Sequence, residues 1–127
     1  MAPKNTRYGR MAWKSRSVTD DDDAPDKTDP GQGAVQVGDG TTFCVSLNQF
    51  SNIDTVDLEI WVEVGDDYPH WTLLSGQGIT GIENPLSVLG VDVRWAHAVF
   101  PRIVKLVADG ASPRLAVQCK VERDIPN

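Results

Sequence analysis

Strict alternation of apolar and polar residues in two long segments is the feature that most constrains this fold. Residues 56–64 place one apolar set on alternate positions, and the residues between them are mostly acidic. Residues 114–122 alternate in the same way. Because successive side chains of a strand lie on opposite faces, each segment is predicted to be a strand with one buried and one hydrated face. The predicted core set is Leu58, Ile60, Val62, Val64, Leu115, Val117, Cys119 and Val121.

Turn signals divide the chain after about residue 33 into about eight short strands. Asp39-Gly40 predicts a two-residue hairpin between residues 34–37 and 41–50, and residues 109–113 predict a second hairpin that closes the sheet. Residues 85–89 are predicted to form an edge strand. No segment has a convincing 3.6-residue apolar stripe. We therefore predict an all-β fold, an antiparallel and jelly-roll-like β-sandwich.

Charge separates the first 32 residues from the rest. Residues 1–16 carry cations and no acid, whereas residues 17–29 carry six aspartates against one lysine. This part of the chain has few aliphatic residues and three prolines, so it cannot bury enough surface to fold alone. We predict an extended or disordered charged arm over residues 1–32 and one β-sandwich domain over residues 33–127.

Composition excludes several classes of partner. A net charge of −6 argues against nucleic acid as a partner of the whole domain. No apolar stretch approaches the roughly 18–20 residues of a membrane span. The N-terminal cations have no apolar run behind them, so we expect no secretory signal and place the chain in the cytoplasm or in an assembly made there.

No set of residues points to catalysis or to a cofactor. His70 and His97 stand in no metal-binding or triad spacing, and a structural role is the simpler interpretation of both. Cys44 is expected to face outward and Cys119 inward, so a disulfide between them is not expected. We predict a protein that is not an enzyme, with no catalytic residue, no metal ligand and no cofactor.

Aromatic residues supply the candidates for interaction. In the arm, cations alternate with aromatics, and on the long strand Trp61 points away from the apolar set. Three functions remain open for these residues, namely docking into a neighbouring subunit, stacking against a sugar ring and, for the arm, contact with nucleic acid. Simple disorder of the arm is the fourth alternative. The candidate interaction residues are Arg7, Tyr8, Arg10, Trp13 and Trp61.

The order of strands and turns in residues 42–123 resembles a known group of proteins. A strand with an acidic turn leads to Trp71, a later strand contains Arg102, and a turn Gly110-Ala111-Ser112-Pro113 precedes the last strand. This pattern is similar to small β-sandwich proteins encoded among phage and prophage structural genes. The resemblance covers about two-thirds of the chain and rests on turn and core features. A long insertion between Leu74 and Val99 and the charged arm depart from it.

The resemblance implies a non-enzymatic particle component, such as a capsid decoration or minor virion protein, located in the virion after assembly in the host cytoplasm. Its expected partners are other subunits of the particle, a capsid or shell protein, and further copies of itself in a homo-oligomer. No membrane or nucleic-acid partner is expected. A carbohydrate- or surface-binding module is the alternative, and a small enzyme whose site is assembled from loops is a third, weaker option.

Overall fold

The computed structural model describes residues 13–23 and 33–123, and these form nine β-strands. In chain order the strands are β1 (Lys14–Val18), β2 (Val35–Gln36), β3 (Thr42–Ser51), β4 (Ile53–Val64), β5 (His70–Leu73), β6 (Ile79–Ile82), β7 (Leu86–Asp92), β8 (Ala98–Ala108) and β9 (Arg114–Glu122). Across these two ranges no helix is present that is long and apolar enough to cross a membrane.

The strands form two antiparallel sheets that enclose one main core. Sheet A has the order β1-β9-β3-β7, and sheet B has the order β2-β8-β4-β5 with β6 also paired to β4. Valine, leucine, isoleucine and phenylalanine side chains from both sheets meet between them. The predicted all-β antiparallel sandwich is confirmed.

The alternating segments form the centre of the sandwich, as their pattern predicts. Leu58, Ile60 and Val62 of β4 are buried, while Asp57, Glu59 and Glu63, which alternate with them, lie on the outer face of sheet B. Val64 packs against the same core at its margin. In β9 the four alternate apolar residues are buried as well. Burying each large aliphatic side chain contributes about 1.5–3 kcal/mol, so these two strands supply much of the driving force for folding.

Both predicted hairpins are wrong. Strand β2 pairs with β8, whereas β3 pairs with β7 and β9, so the Asp39-Gly40 turn carries the chain from sheet B to sheet A. Likewise β8 pairs with β4, while β9 pairs with β1 and β3, so residues 109–113 also join the two sheets. A turn sequence fixes the reversal of the chain, but it does not decide whether the next strand pairs or crosses the roughly 10 Å between sheets.

The predicted domain boundary at residue 33 misses one strand. Strand β1 is paired with β9 along its whole length, from Lys14 opposite Cys119 to Val18 opposite Leu115. The sandwich therefore includes residues 14–18 of the segment that we predicted to be an arm. Of the same segment, residues 13 and 19–23 are also described, whereas residues 1–12 and 24–32 lie outside the described residues.

Candidate interaction surfaces

Residues 13–23, which we call the N-terminal clamp, bind both sheets. The clamp begins beside sheet A, where β1 is the outermost strand. It then crosses to sheet B, where the Asp22 amide donates a hydrogen bond to the Ile103 carbonyl of β8 at 2.7 Å. One lateral side of the sandwich is therefore closed by the N-terminal part of the chain.

Arg16 is the centre of the clamp. It lies opposite Val117 in the β1–β9 ladder, so its side chain is directed toward the interior of the sandwich. Its guanidinium donates to both carboxylate oxygens of Asp22, at 2.9 and 2.5 Å, and to the Pro101 carbonyl at 3.0 Å. The same group lies 5.2 Å from the centre of the Phe100 ring. A planar cation that bonds a carboxylate with two hydrogen bonds is held in one orientation, so Arg16 joins β1 to β8.

Two aspartates of the acidic run cap the open edge of β8. Asp22 accepts a hydrogen bond from the Ile103 amide at 2.8 Å, and Asp21 accepts one from the Leu106 amide at 2.6 Å. The Arg102 guanidinium also donates to the Asp22 carbonyl at 3.1 Å. From the sequence, the aspartates of this run indicated only that their negative charge nearly cancels the positive charge of residues 1–16. No local pattern reveals the structural role, because the amides that the carboxylates bind lie about 80 residues away in the chain.

Trp13, at the start of the clamp, is partly exposed. Its side chain is 43% exposed, and the Lys120 ammonium lies 4.5 Å from the centre of a Trp13 ring. Lys120 also pairs with Glu122 at 2.7 Å. The other candidate residues of the arm, Arg7, Tyr8 and Arg10, lie outside the described residues.

Trp61 lies on the outer face of sheet B, as its place in the alternation predicts, and its ring is half-buried. The indole N–H donates to a carboxylate oxygen of Glu59 at 3.0 Å, and the same oxygen accepts from Arg102 at 3.0 Å. The ring packs beside a second, small apolar cluster that contains Trp71, Ala98 and Phe100. Trp61 therefore covers the outer face of the sheet, whereas a sugar-stacking platform would need a more exposed ring.

Among the residues that the structure describes, the most exposed aromatic rings are found in two loops. Tyr68, in the β4–β5 turn, is 85% exposed, and Trp95, in the β7–β8 connection, is 52% exposed. The two loops adjoin, because the His97 Nε2 atom lies 3.0 Å from the Gly65 carbonyl and 3.3 Å from the Asp66 carboxylate. His70 Nδ1 likewise lies 3.0 Å from the Tyr68 carbonyl. Both histidines thus hold loops in place, and Tyr68 was not singled out from the sequence.

The two cysteines are free thiols on opposite faces of sheet A. Cys119 faces the core, as predicted, and lies opposite Val45. Cys44 lies opposite Lys120 on the outer face, yet it is only 4% exposed. Burial raises the pKa of the Cys119 thiol to about 11 from an ordinary 9.0, and the nearby cations Arg16 and Lys14 offset only part of this effect.

The raised pKa of Cys119 predicts a loss of stability in alkali. Folding favours the neutral thiol, so its contribution is complete below about pH 9 and is lost as the pH rises through about 11. We expect the advantage in unfolding free energy of the unaltered chain over Cys119→Ala to shrink by about 2 kcal/mol across this range. Denaturant titrations from pH 8 to 11 measure this difference in unfolding free energy. Cys44→Ala is the control, because it replaces the same residue type elsewhere in sheet A. An advantage that stays constant to pH 11 would contradict the prediction.

The described residues show no group of three or more histidine, cysteine or acidic side chains placed to hold a metal ion. A shallow groove of about 300 Å³ lies on the outer face of sheet B, between Glu59, Leu73 and Val104. The exposed aromatic rings of the described residues are those of Trp13, Tyr68 and Trp95. Comparison with known proteins finds no matching family model, no matching curated protein and no matching solved structure.

Proposed function

We propose that this protein is a non-enzymatic structural subunit of a phage or phage-like particle, which docks onto a capsid or other multimeric shell through its sheet surface and its N-terminal residues. The observation that carries the proposal is the clamp. It binds the N-terminal part of the chain to both sheets, so residues 1–12 are joined to the sandwich at a fixed point beside Trp13. An interaction segment that starts from a fixed point loses less entropy on binding than one that starts from a free chain. The pattern of strands and turns in residues 42–123 supports the same proposal.

The residues at and before Trp13 indicate which chemical groups the docking surface presents. Trp13 offers a partly exposed aromatic ring, and the preceding residues carry Lys4, Arg7 and Arg10 without an acid. Tryptophan and arginine are the residues that most often dominate binding energy at protein interfaces. The complementary surface on the shell is therefore acidic, with an apolar pocket that accepts an indole ring.

Deleting residues 1–12 tests the proposal, because the deletion leaves β1 and the whole clamp in place. Coexpressed with the shell protein of the particle that it is proposed to join, the full chain is expected to sediment with assembled particles, and the shortened chain is expected to remain at the top of the gradient. Thermal unfolding of the shortened chain is expected to match that of the full chain, which separates loss of docking from loss of folding.

A matched pair of substitutions sharpens the test. Trp13→Ala is expected to weaken particle binding by about thirtyfold or more, as truncation of a dominant interface residue costs at least about 2 kcal/mol. Trp95→Ala removes a similarly exposed tryptophan outside the clamp, 52% exposed against 43% for Trp13, and is expected to leave binding unchanged. If the full chain, the deletion and both variants sediment equally with particles, residues 1–12 and Trp13 are not the docking surface. Failure of the full chain to sediment with any shell would overturn the function itself.

A further inference from the structure

Two loops with exposed aromatic rings meet at one end of sheet B. Residues 65–69 join β4 to β5, and residues 93–97 join β7 to β8. The end of β4 lies beside the start of β8, so the two loops adjoin. Tyr68 of the first loop is 85% exposed, and Trp95 of the second loop is 52% exposed. We call these two loops the aromatic tip.

Hydrogen bonds hold the two loops of the aromatic tip against each other. The His97 amide donates to the Glu63 carbonyl at 2.8 Å, and the His97 Nε2 atom lies 3.0 Å from the Gly65 carbonyl. Since a carbonyl group only accepts, Nε2 carries a hydrogen and donates it. Gly65 has φ +97°, and a Cβ atom there would meet the Tyr68 carbonyl oxygen at 2.6 Å, so this turn requires glycine. Contacts within the protein therefore set the shape of the tip.

Both aromatic rings are attached close to the contact between the loops. The side chains of His97 and Asp66 lie 3.3 Å apart. Trp95 precedes His97 by two residues, and Tyr68 follows Asp66 by two residues. Consecutive Cα atoms are about 3.8 Å apart, so the Cα atom that carries each ring lies within about 8 Å of the Cα atom of His97 or Asp66. One small ligand can therefore contact both rings.

Hydrogen-bonding groups surround the two rings. The side chain of Asp66 is 94% exposed, that of Arg94 is 61% exposed, and Asp67 is exposed as well. Within the two loops no valine, leucine, isoleucine or methionine is exposed, because Val93 is fully buried. A carboxylate has two acceptor oxygens and can bind two neighbouring hydroxyl groups at once. The aromatic tip thus presents flat apolar rings beside free acceptors.

We propose that the aromatic tip binds a neutral glycan. In this complex Trp95 and Tyr68 pack against the faces of sugar rings, while the carboxylates of Asp66 and Asp67 accept hydrogen bonds from sugar hydroxyls. The face of a sugar ring carries C–H groups, which suit the negative face of an aromatic ring, and its rim carries hydroxyls. Because the loops are held in shape before binding, a ligand that makes few contacts loses little of its binding energy to ordering them.

Other occupants fit the aromatic tip less well. A stable protein interface buries about 800 Å² on each partner around an apolar centre, whereas the tip offers two rings flanked by carboxylates. Nucleic acids and acidic polysaccharides are repelled by Asp66, by Asp67 and by the net charge of −6. Trp61, the ring on the outer face of sheet B, is half-buried. A neutral sugar polymer is the ligand class that agrees with all of these features.

A glycan array tests the proposal with the purified full chain. The array carries neutral hexose and N-acetylhexosamine oligosaccharides beside sialylated and sulfated ones, and we expect binding to neutral members. Binding to no neutral member, or to acidic members alone, would overturn the proposal. The aromatic tip shares no residue with the clamp, so this inference can fail while particle docking holds, and the reverse.

Substitutions locate the site, with the neutral oligosaccharide that binds best as the ligand in calorimetric titrations. Trp95→Ala and Tyr68→Ala are each expected to weaken binding at least about tenfold, because each removes a ring that the sugar covers. Trp13→Ala removes a similarly exposed ring from the clamp and is expected to leave glycan binding unchanged. Thermal unfolding of all three variants is expected to match that of the unaltered chain. Glycan binding that survives both tip substitutions, or that Trp13→Ala weakens equally, would overturn the site.

Discussion

Replacing Phe43 with alanine is expected to destabilise the protein by about 4 kcal/mol, which is a large part of the total stability of a domain of this size. Phe43 lies on β3, at the centre of sheet A, and is among the largest side chains that are fully buried. It belongs to the core that both sheets share, so the substitution leaves a cavity that the surrounding side chains can fill only in part. Urea denaturation monitored by circular dichroism measures the loss as a shift of the midpoint.

Phe50 provides the matched control on the same strand. It is only partly buried and packs at the margin of the same core. Phe50→Ala removes the same group and is expected to cost about 1–2 kcal/mol, because solvent can occupy part of the space. Equal losses for Phe43→Ala and Phe50→Ala would contradict the central place of Phe43 in the core.

Replacing Asp22 with alanine is expected to cost about 3 kcal/mol. The substitution removes the carboxylate that holds Arg16 with two hydrogen bonds and that accepts the Ile103 amide. Arg16 has a side chain only 16% exposed, and its Nε atom already has no hydrogen-bond partner among the described residues. The loss of Asp22 therefore leaves a largely buried cation without its counter-charge, which costs more than the ion pair contributed. Proteolysis of residues 13–23 and urea denaturation both measure the effect.

Asp20→Ala is the control, since it removes an equal charge from the same acidic run. Asp20 is exposed and accepts a hydrogen bond only from the adjacent Asp21 amide among the contacts seen here. Its replacement is expected to change the unfolding free energy by less than about 0.5 kcal/mol. If the two substitutions had similar effects, the clamp would be held by the charge of the acidic run and not by the position of Asp22.

The faces of the strands could be predicted from the sequence, but their partners could not. Alternation in β4 and β9 assigns Leu58, Ile60 and Leu115 to the core without knowledge of any neighbour, since the period of a strand is a local property. Whether β8 continues into β9 within one sheet or crosses to the other depends on contacts far apart in the chain. Local turn residues carry no information on that choice, so both predicted hairpins failed.

The clamp could not be predicted from the sequence for a related reason. Residues 14–18 contain one core residue, Val18, and they join the sheet mainly through backbone hydrogen bonds, which leave no trace in composition. Arg16 points inward and is compensated by Asp22, so a charged pair replaces the apolar pattern by which a strand is recognised. Trp61 was placed on the correct face by its position, whereas its contact with Glu59 depends on a local side-chain geometry that the pattern does not specify.

The pairing of β1 with β9 joins the first described strand to the last, about 100 residues later in the chain. During synthesis, β1 leaves the ribosome before β9 and has no strand to pair with until β9 follows, a delay of roughly 5–20 s at ordinary rates of elongation. Closing so long a loop is also among the slowest steps available to a small domain. The sandwich can therefore assemble β3, β4 and β8 before its last edge forms. The pairing of β1 with β9 thus cannot form until nearly all of the described chain has been made.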